Sequence, residues 1–242
     1  TRVENRAAGE ALSLSRLSGV VTYSPGEMTL IARPGTPLPE IEEMLAAEGQ
    51  ALAFEPPDMG AVLGGNGTPT LGGTVAANAS GPRRLLVGAC RDHLLGVRFV
   101  DGRGRVMKNG GRVMKNVTGL DLCKLLSGSH GTLGVMTEIT LKVLPSSEAT
   151  ATLAVRVPDL ARGVGALSAA LGSPFGVSAA AILPEGHAAL GLEGPLAVVR
   201  AAGGIVTDWQ GGPAQGGGQV IAAATPALHR AALGLLNGQG AA

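Results

Sequence analysis

Aromatic side chains are nearly missing from this sequence: three Phe, one Tyr and one Trp are all that its 242 residues contain. A core built from such a chain must be aliphatic, and the aromatic platforms on which single-stranded nucleic acids stack are lacking. An excess of one charge is lacking too. The formal balance is +1 without a basic run, which removes the counterion-release term that drives proteins onto nucleic acid. Cysteine is reduced to Cys90 and Cys123. Neither stands in a CxxC step or at metal-ligand spacing to His93, His130, His187 or His229, so neither a disulfide framework nor a metal site is expected. Both thiols read as reduced and buried. No apolar run approaches the roughly 20 residues that a bilayer-crossing helix needs, and no signal peptide opens the chain. The expectation is a soluble cytoplasmic protein that reaches a membrane only through a partner. Two nucleotide signatures are absent as well: no GxGxxG opens a βαβ unit and no GxxxxGK[ST] loop occurs, which disfavours Rossmann and P-loop readings.

What the sequence has in abundance is glycine, 39 residues, roughly twice the usual share. Glycine concentrates between Gly64 and Gly81, GGNGTPTLGGTVAANASG, six glycines in eighteen residues interleaved with Thr68, Thr70, Thr74, Asn78 and Ser80. Such a stretch leaves backbone N–H groups unshielded by side chains, which suits the close approach of a phosphate or pyrophosphate. It offers donors rather than charges. A short helix over Thr74 to Asn78, beginning just after Gly72 and Gly73, would aim its first N–H groups back at the loop. Gly128 to Gly134, GSHGTLG, repeats the chemistry further along the chain. The competing reading of both stretches is that small residues let turns and strands pack closely. Arg83 and Arg84 follow the first loop, either as solvated surface or in contact with a ligand phosphate or a partner.

The rest of the chain reads as short alternating elements. Leu12, Leu14 and Leu17 suggest a first strand. Val20 to Tyr23 and Met28 to Arg33 flank SPGE as a hairpin. PLPEIEEMLAAEG is the clearest helix: Thr36 caps it, Pro37 suits its first turn, Leu38, Ile41 and Leu45 form one face, and Gly49 ends it. Glu40, Glu42 and Glu43 read as its solvated face near the favourable end of the dipole. Residues 94–115 form two strands joined at Asp101 to Gly104, a DG hairpin signal. RVMKN occurs twice, at 105–109 and 112–116, too short a unit for a structural repeat. A short helix over Asp121 to Ser127 precedes the second loop. In the strand that follows, period two places Val135, Thr137, Ile139, Leu141 and Val143 on one face. Pro145, Ser146 and Ser147 mark a domain boundary. Beyond it come a strand at Val155 to Val157, a helix face of Leu160, Val164, Leu167 and Leu171, a pair of strands across AAAILPEGHAALGLEGP, and a tail of strand, glycine-rich turn, strand and a helix from Thr225.

Several of these stretches stand in the order and spacing of a known family: EPPDMG (55–60), TLGGTVAANASGPRR (70–84), RDHLLGVRFVDGRG (91–104) and GGRVMKNVTGLDLCKLLSGSHGTLGVMTEITLKVLP (110–145). Over roughly residues 15–145 the sequence resembles the FAD-binding domain of the vanillyl-alcohol oxidase (PCMH) type, and within it the E subunits of bacterial glycolate oxidases. The resemblance implies an α+β fold, with a PCMH-type FAD-binding domain over residues 1–145 and a smaller α+β cap-like region over 146–242. It also implies that the flavin lies extended, with its pyrophosphate held by backbone amides. On the FAD it places Thr70, Gly72, Gly73, Ala76, Ser80 and Gly81, then Arg91, Asp92 and Gly96, then Gly128, Ser129, Gly131, Thr132, Gly134 and Val135. The family has a further glycine-rich phosphate loop upstream of the position of Ser15, whereas residues 1–14 hold a single Gly. The chain opens on Thr1 rather than Met, which leaves room for a natural N-terminus upstream. No counterpart of the histidine that attaches flavin covalently in some relatives is identified. His130 lies inside the second loop, with its side chain expected to point away while its backbone binds. Residues 203–236 resemble the carboxyl-terminal segment of the inositol monophosphatase family, without that family's DPxDGT motif or acidic cluster. Asp208 and His229 are therefore read as structural.

These readings imply an FAD-dependent oxidoreductase acting on CH–OH groups, a subunit of a glycolate or 2-hydroxy acid oxidase. Its partners would be a flavin-binding D subunit and an iron–sulfur subunit. Catalytic residues are not identified: 146–242 offers no cation for a carboxylate paired with a base, so substrate oxidation falls to the D subunit. Two other readings stay open, a noncatalytic assembly subunit with a degenerate flavin fold and, from the tail alone, a metal-dependent phosphatase.

Overall fold

A computed structural model describes residues 12–58, 67–112, 119–173, 176–183, 187–194, 205–208, 220–223 and 230. Two compact units divide the chain, Thr1–Ser146 and Ser147–Ala242.

The first unit is organised on a five-stranded antiparallel sheet of β1 (Val20–Ser24), β2 (Thr29–Ala32), β4 (Leu94–Val100), β5 (Val106–Gly110) and β6 (Val135–Lys142), in the order β1-β2-β6-β4-β5. The SPGE hairpin forms as read: Pro25–Glu27 is a single 3-10 turn, and Met28 reverses the chain at φ 51°. The DG hairpin forms too, organised by Asp101, whose Oδ1 accepts the N–H groups of Arg103 and Arg105 at 2.9 Å while Arg105 pairs with Oδ2. Helix α1 (Leu38–Ala47) buries Leu38, Ile41 and Leu45, the spacing its sequence predicts. They join Leu30, Phe54, Val97, Phe99, Ile139 and Leu141 in one core, where each fully buried aliphatic side chain contributes about 1.5–3 kcal/mol. A two-stranded ladder of β3 (Gln50–Ala51) and β7 (Leu144–Pro145) closes the unit.

Three expectations are corrected. Residues 12–17 form no strand. Leu17 N–H donates to the Leu14 carbonyl in a turn and Leu12 is 73% exposed; β1 pairs with β2, and no other strand among the described residues stands beside it. Thr36 does not cap α1. Its fully buried hydroxyl donates to the Arg33 carbonyl at 2.7 Å and accepts Gly19 N–H at 2.9 Å, and Pro37 holds the cap position. In β6 the strict alternation fails. The pairing with β4 steps from Arg98↔Glu138 to Phe99↔Met136, so the irregularity at Thr137 rotates Met136 into the core beside Ile139 and Leu141.

Of the duplicated RVMKN, the first copy is placed in the sheet. β5 is built from the first copy, which runs into Gly110 at φ 74°. A Cβ there would collide with the Leu95 carbonyl oxygen and approach Cys123 Sγ at 3.0 Å. The second copy lies, from Val113 on, outside the described residues.

The second unit is a three-stranded antiparallel sheet of β8 (Ala149–Arg156), β10 (His187–Gly194) and β9 (Val177–Leu183), with β10 central. Helix α6 (Leu160–Leu171) buries Gly163 and Leu167, and Asp159 caps it by accepting Arg162 N–H at 2.7 Å. β11 (Ile205–Asp208) pairs with β12 (Val220–Ala223). Most of residues 203–236, and of the helix read from Thr225, lies outside the described residues. No helix among the described residues is long and apolar enough to cross a membrane.

Two outcomes follow from these packing arrangements. Gly110→Ala, which meets both a left-handed backbone and a carbonyl, should lower unfolding free energy by about 2 kcal/mol or more in urea titration. The second concerns His93, 1% exposed, its ring tilted 50° against that of Phe54 at 5.4 Å, with Nε2 on the Val87 carbonyl and Nδ1 without a partner among the described residues. Burial pushes its pKa below the ordinary 6.5, against a smaller opposing effect of the Val87 hydrogen bond. Below pH 6.5 the unfolded chain therefore takes up a proton that the folded chain refuses. Stability should be flat above that value and fall as pH drops beneath it, and His93→Gln should remove that portion of the pH dependence in denaturation curves measured from pH 7.5 to 5.

Candidate functional site

Both glycine loops converge on one short helix, α2 (Leu71–Ala77). Its start lies three residues earlier than the sequence suggests: Thr70 is the N-cap, and Gly72 and Gly73 form the first turn instead of preceding it. Its amides are consequently engaged by other segments. Leu71 N–H donates to the Thr36 carbonyl at 2.9 Å and Gly72 N–H to the Pro34 carbonyl at 2.7 Å, while Leu38 N–H of α1 donates back to Pro69 at 2.9 Å. Gly73 N–H meets Thr70 Oγ1 at 3.4 Å. The free helix N-terminus expected from the sequence is thus plugged by the 34–36 turn.

The other end of α2 receives the second loop, which follows helix α5 (Leu122–Leu126). Gly128 N–H donates to the Val75 carbonyl at 3.2 Å, His130 N–H to Ala76 at 2.9 Å, and Ser127 Oγ to Val75 at 3.1 Å. Helix α4 (Cys90–His93), preceded by α3 (Arg84–Val87), attaches at the same place. Asn78 Oδ1 accepts Arg91 N–H and Ser80 Oγ accepts Cys90 N–H, both at 2.9 Å. Asn78 stands at φ 49° and His130 at φ 52°, left-handed conformations that cost a non-glycine residue about 1 kcal/mol or more.

The predicted residues therefore divide. Gly72, Gly81, Gly96 and Gly134 serve close packing: an added Cβ would press on Pro34, the Glu55 carbonyl, Gly111 and the Val100 carbonyl respectively. Asp92 closes a local turn, its Oδ2 accepting Ala89 N–H at 2.9 Å. Ser129 and Thr132 bond within their own loop, Ser129 N–H to Leu126 and Thr132 N–H to Ser129. Ala76 offers its carbonyl, and Val135 begins β6 opposite Val100. Open space remains at Gly73 and Gly131. A Cβ on Gly73 would meet only Thr70 Oγ1 at 3.5 Å, and one on Gly131, at φ 76°, nothing within 4 Å. Gly131 N–H has no partner among the described residues. Gly73 lies in the first turn of α2, and Gly131, with exposed Arg91 and His130, stands by its last, a spread along the helix that fits an elongated cofactor. Gly64, Gly65 and Asn66 lie outside the described residues, as do residues 1–11.

The cysteines stand apart from this chemistry. Burial, then Asp92, pushes the Cys90 thiol up to about 12. Burial and Asp121 push Cys123 to about 11, so both are inert thiols at neutral pH. Sequence reasoning passed over Asn78 as the junction, although Asn is a common non-glycine choice at a left-handed helix end. Asn78→Ala, which loses the bond to Arg91 and keeps the strained backbone, should destabilise the fold by about 1 kcal/mol more than Asn78→Gly, which loses only the bond; paired denaturation curves read the difference.

Residues 3–110 match the sequence family described as FAD binding domain. The chain is 46% identical over 145 residues to glycolate oxidase subunit GlcE of Escherichia coli K12, covering 60% of this chain and 40% of that protein. It is 33% identical to D-lactate dehydrogenase of Anaerostipes hadrus, covering 63% and 30%. With glycolate oxidase subunit GlcD of Bacillus subtilis it shares 32% identity, covering 60% and 29%. The chain thus spans two-fifths or less of these relatives. Among solved structures, alkyldihydroxyacetonephosphate synthase superposes with a TM-score of 0.59 at 23% identity, over 77% of this chain and 38% of that one, a likeness of fold. No comparison shows the resemblance of residues 203–236 to inositol monophosphatases. Residues 3–110 thus carry the match to the FAD-binding domain family, and the chain shares the fold of alkyldihydroxyacetonephosphate synthase.

Proposed function

We propose that this chain is the FAD-binding subunit of a glycolate or similar 2-hydroxy acid oxidase, working with a D-type flavin subunit and an iron–sulfur subunit. The observation that carries the reading is that the helix opened by the first glycine loop, α2, receives the second glycine loop on its last turn through the Gly128 and His130 amides. The kinship with GlcE and GlcD supports the reaction class. Residues 1–145 would hold the cofactor and 146–242 would form a cap-like region. Thr70, Gly73, Ala76, Ser80 and Arg91 would line one side of the cofactor, and Gly128 to Thr132 the other. Gly72, Gly81, Asp92, Gly96, Gly134 and Val135 would hold that lining in place. Bound FAD supplies the acceptor for the two electrons leaving the hydroxy acid. The chain's own part is to orient it and to keep the two loops from parting. Work in the cytoplasm, with any membrane contact made by a partner, fits two buried thiols of raised pKa.

A second reading is favoured by one observation. The engagement of the Leu71, Gly72, Gly128 and His130 amides within the protein suits an assembly subunit that keeps the flavin fold without the flavin. Titration separates the two. The purified chain, alone and mixed with its partner subunits, should take up about one equivalent of FAD with a flavin absorbance band, and flavin content of the mixture should rise with this chain. If neither sample takes up FAD beyond what the partners bind alone, the assembly reading replaces the first.

A further inference from the structure

Helix α6 of the second unit leaves most of its apolar stripe uncovered. With 3.6 residues per turn, Leu160, Val164, Leu167 and Leu171 fall on one side of it. Only Leu167 is buried; Leu160 is 68%, Val164 51% and Leu171 40% exposed. Contact with the sheet is made by one edge of the stripe, at Leu167 and at Gly163, where an added Cβ would stand 3.3 Å from side-chain atoms of both Ile182 and Val157. The other edge, Leu160, Val164 and Leu171, flanks that contact and is open. Arg162 is the one charged residue of the helix, so the exposed side is apolar along its whole length. Three large aliphatic residues in register on one helix mark a packing surface, because each releases ordered water when covered.

The size of this surface limits what covers it. Twelve residues make a rod about 18 Å long and about 10 Å wide, and one side of it falls well short of the roughly 800 Å² that each partner of a stable complex buries. A separate protein gains too little there, whereas a segment of the same chain has only a short loop to close. One segment has the matching pattern. β12 stands beside β8, the strand that leads into α6, and beyond β12 the chain continues as TPALHRAALGLLNG, in which Thr225 and Pro226 are helix start signals and Gly238 a stop. Arg230, the described residue of that stretch, is helical and exposed. On a helix Leu228, Ala231, Ala232 and Leu235 fall together on the side away from Arg230.

We infer that this carboxyl-terminal segment is the cover: the helix read from Thr225 lies beside α6 and sets its Leu228, Ala231, Ala232 and Leu235 side against Leu160, Val164 and Leu171. The contact is independent of the cofactor reading.

Hydrogen exchange read by mass spectrometry on the full chain tests the contact from both sides, with light scattering to give the oligomeric state. Val164→Glu should lower the melting temperature and speed amide exchange over residues 226–236 about tenfold or more, the weight of one aliphatic contact in a local opening. Leu235→Glu should speed exchange across Leu160–Leu171 by a similar factor, while Leu233→Glu, on the side of Arg230, should leave it unchanged. Exchange in β2, β4 and β6 should stay at parent values throughout, which separates undocking from unfolding. Where Val164→Glu unfolds the second unit, Val164→Ala gives the same reading with a smaller factor. Parent-like exchange of 226–236 in the Val164 variants overturns the inference, since a residue facing solvent accepts either change. Equal effects of Leu233→Glu and Leu235→Glu on α6 overturn it as well. So does a dimeric parent that Val164→Glu turns monomeric without touching the tail, because a second copy is then the cover.

Discussion

A helix of seven residues, tied at both ends to backbone from elsewhere in the chain, is the constraint on which the first unit depends. A helix this short is not stable by itself, since nucleation is unfavourable and most of its polar groups are terminal. Here the terminal groups are answered by distant segments. The Leu71 and Gly72 amides take carbonyls of the turn before α1, and the Val75 and Ala76 carbonyls take amides of the loop after α5. Segments separated by dozens of residues are thereby brought into register without an additional sheet strand. Leu71 and Val75, both fully buried, fix the helix to the core, so its two ends cannot shift independently.

This arrangement changes what the glycines do. Glycine next to a carbonyl or a proline ring permits close approach, and that is the work of Gly72, Gly81 and Gly134. Glycine facing open space leaves room for a ligand, and Gly73 and Gly131 retain that property. Both kinds occur in the same short stretches because a surface that cradles a cofactor must itself be held rigid from behind, or the entropy of ordering it would fall on the binding step. The left-handed Asn78 and His130 belong to the same economy: strain confined to a junction is tolerated when the packing on either side over-determines it.

The relatives matched, GlcE, GlcD and D-lactate dehydrogenase, are proteins named for hydroxy acids. The chain spans only part of them, and its match to the FAD-binding family lies within the first unit. A mainly aliphatic core around Leu30, Ile41 and Ile139, with Phe54 buried among them, is enough to hold such a unit, because the two glycine loops are anchored through backbone hydrogen bonds.

Local chemistry made much of this legible from residues alone. The Pro-Gly and Asp-Gly reversals, the Leu38, Ile41 and Leu45 face of α1 and the paired strands of both units follow from turn propensity and periodicity, which act between near neighbours. The two loops were recognisable by their glycine and hydroxyl content, and residues 55–145 by their ordered motifs. Other features depend on partners remote in sequence. Thr36 was drawn inward by Gly19 and Arg33, an irregular pairing turned Met136 into the core, and residues 12–17, with no strand among the described residues beside them, form a turn. The sequence by itself determined where donors, hydrophobic faces and reversals would occur, since these are properties of the residues. Only the tertiary structure decided which amides would remain available, because a hydrogen-bond donor is satisfied by whichever carbonyl the fold brings within about 3 Å of it.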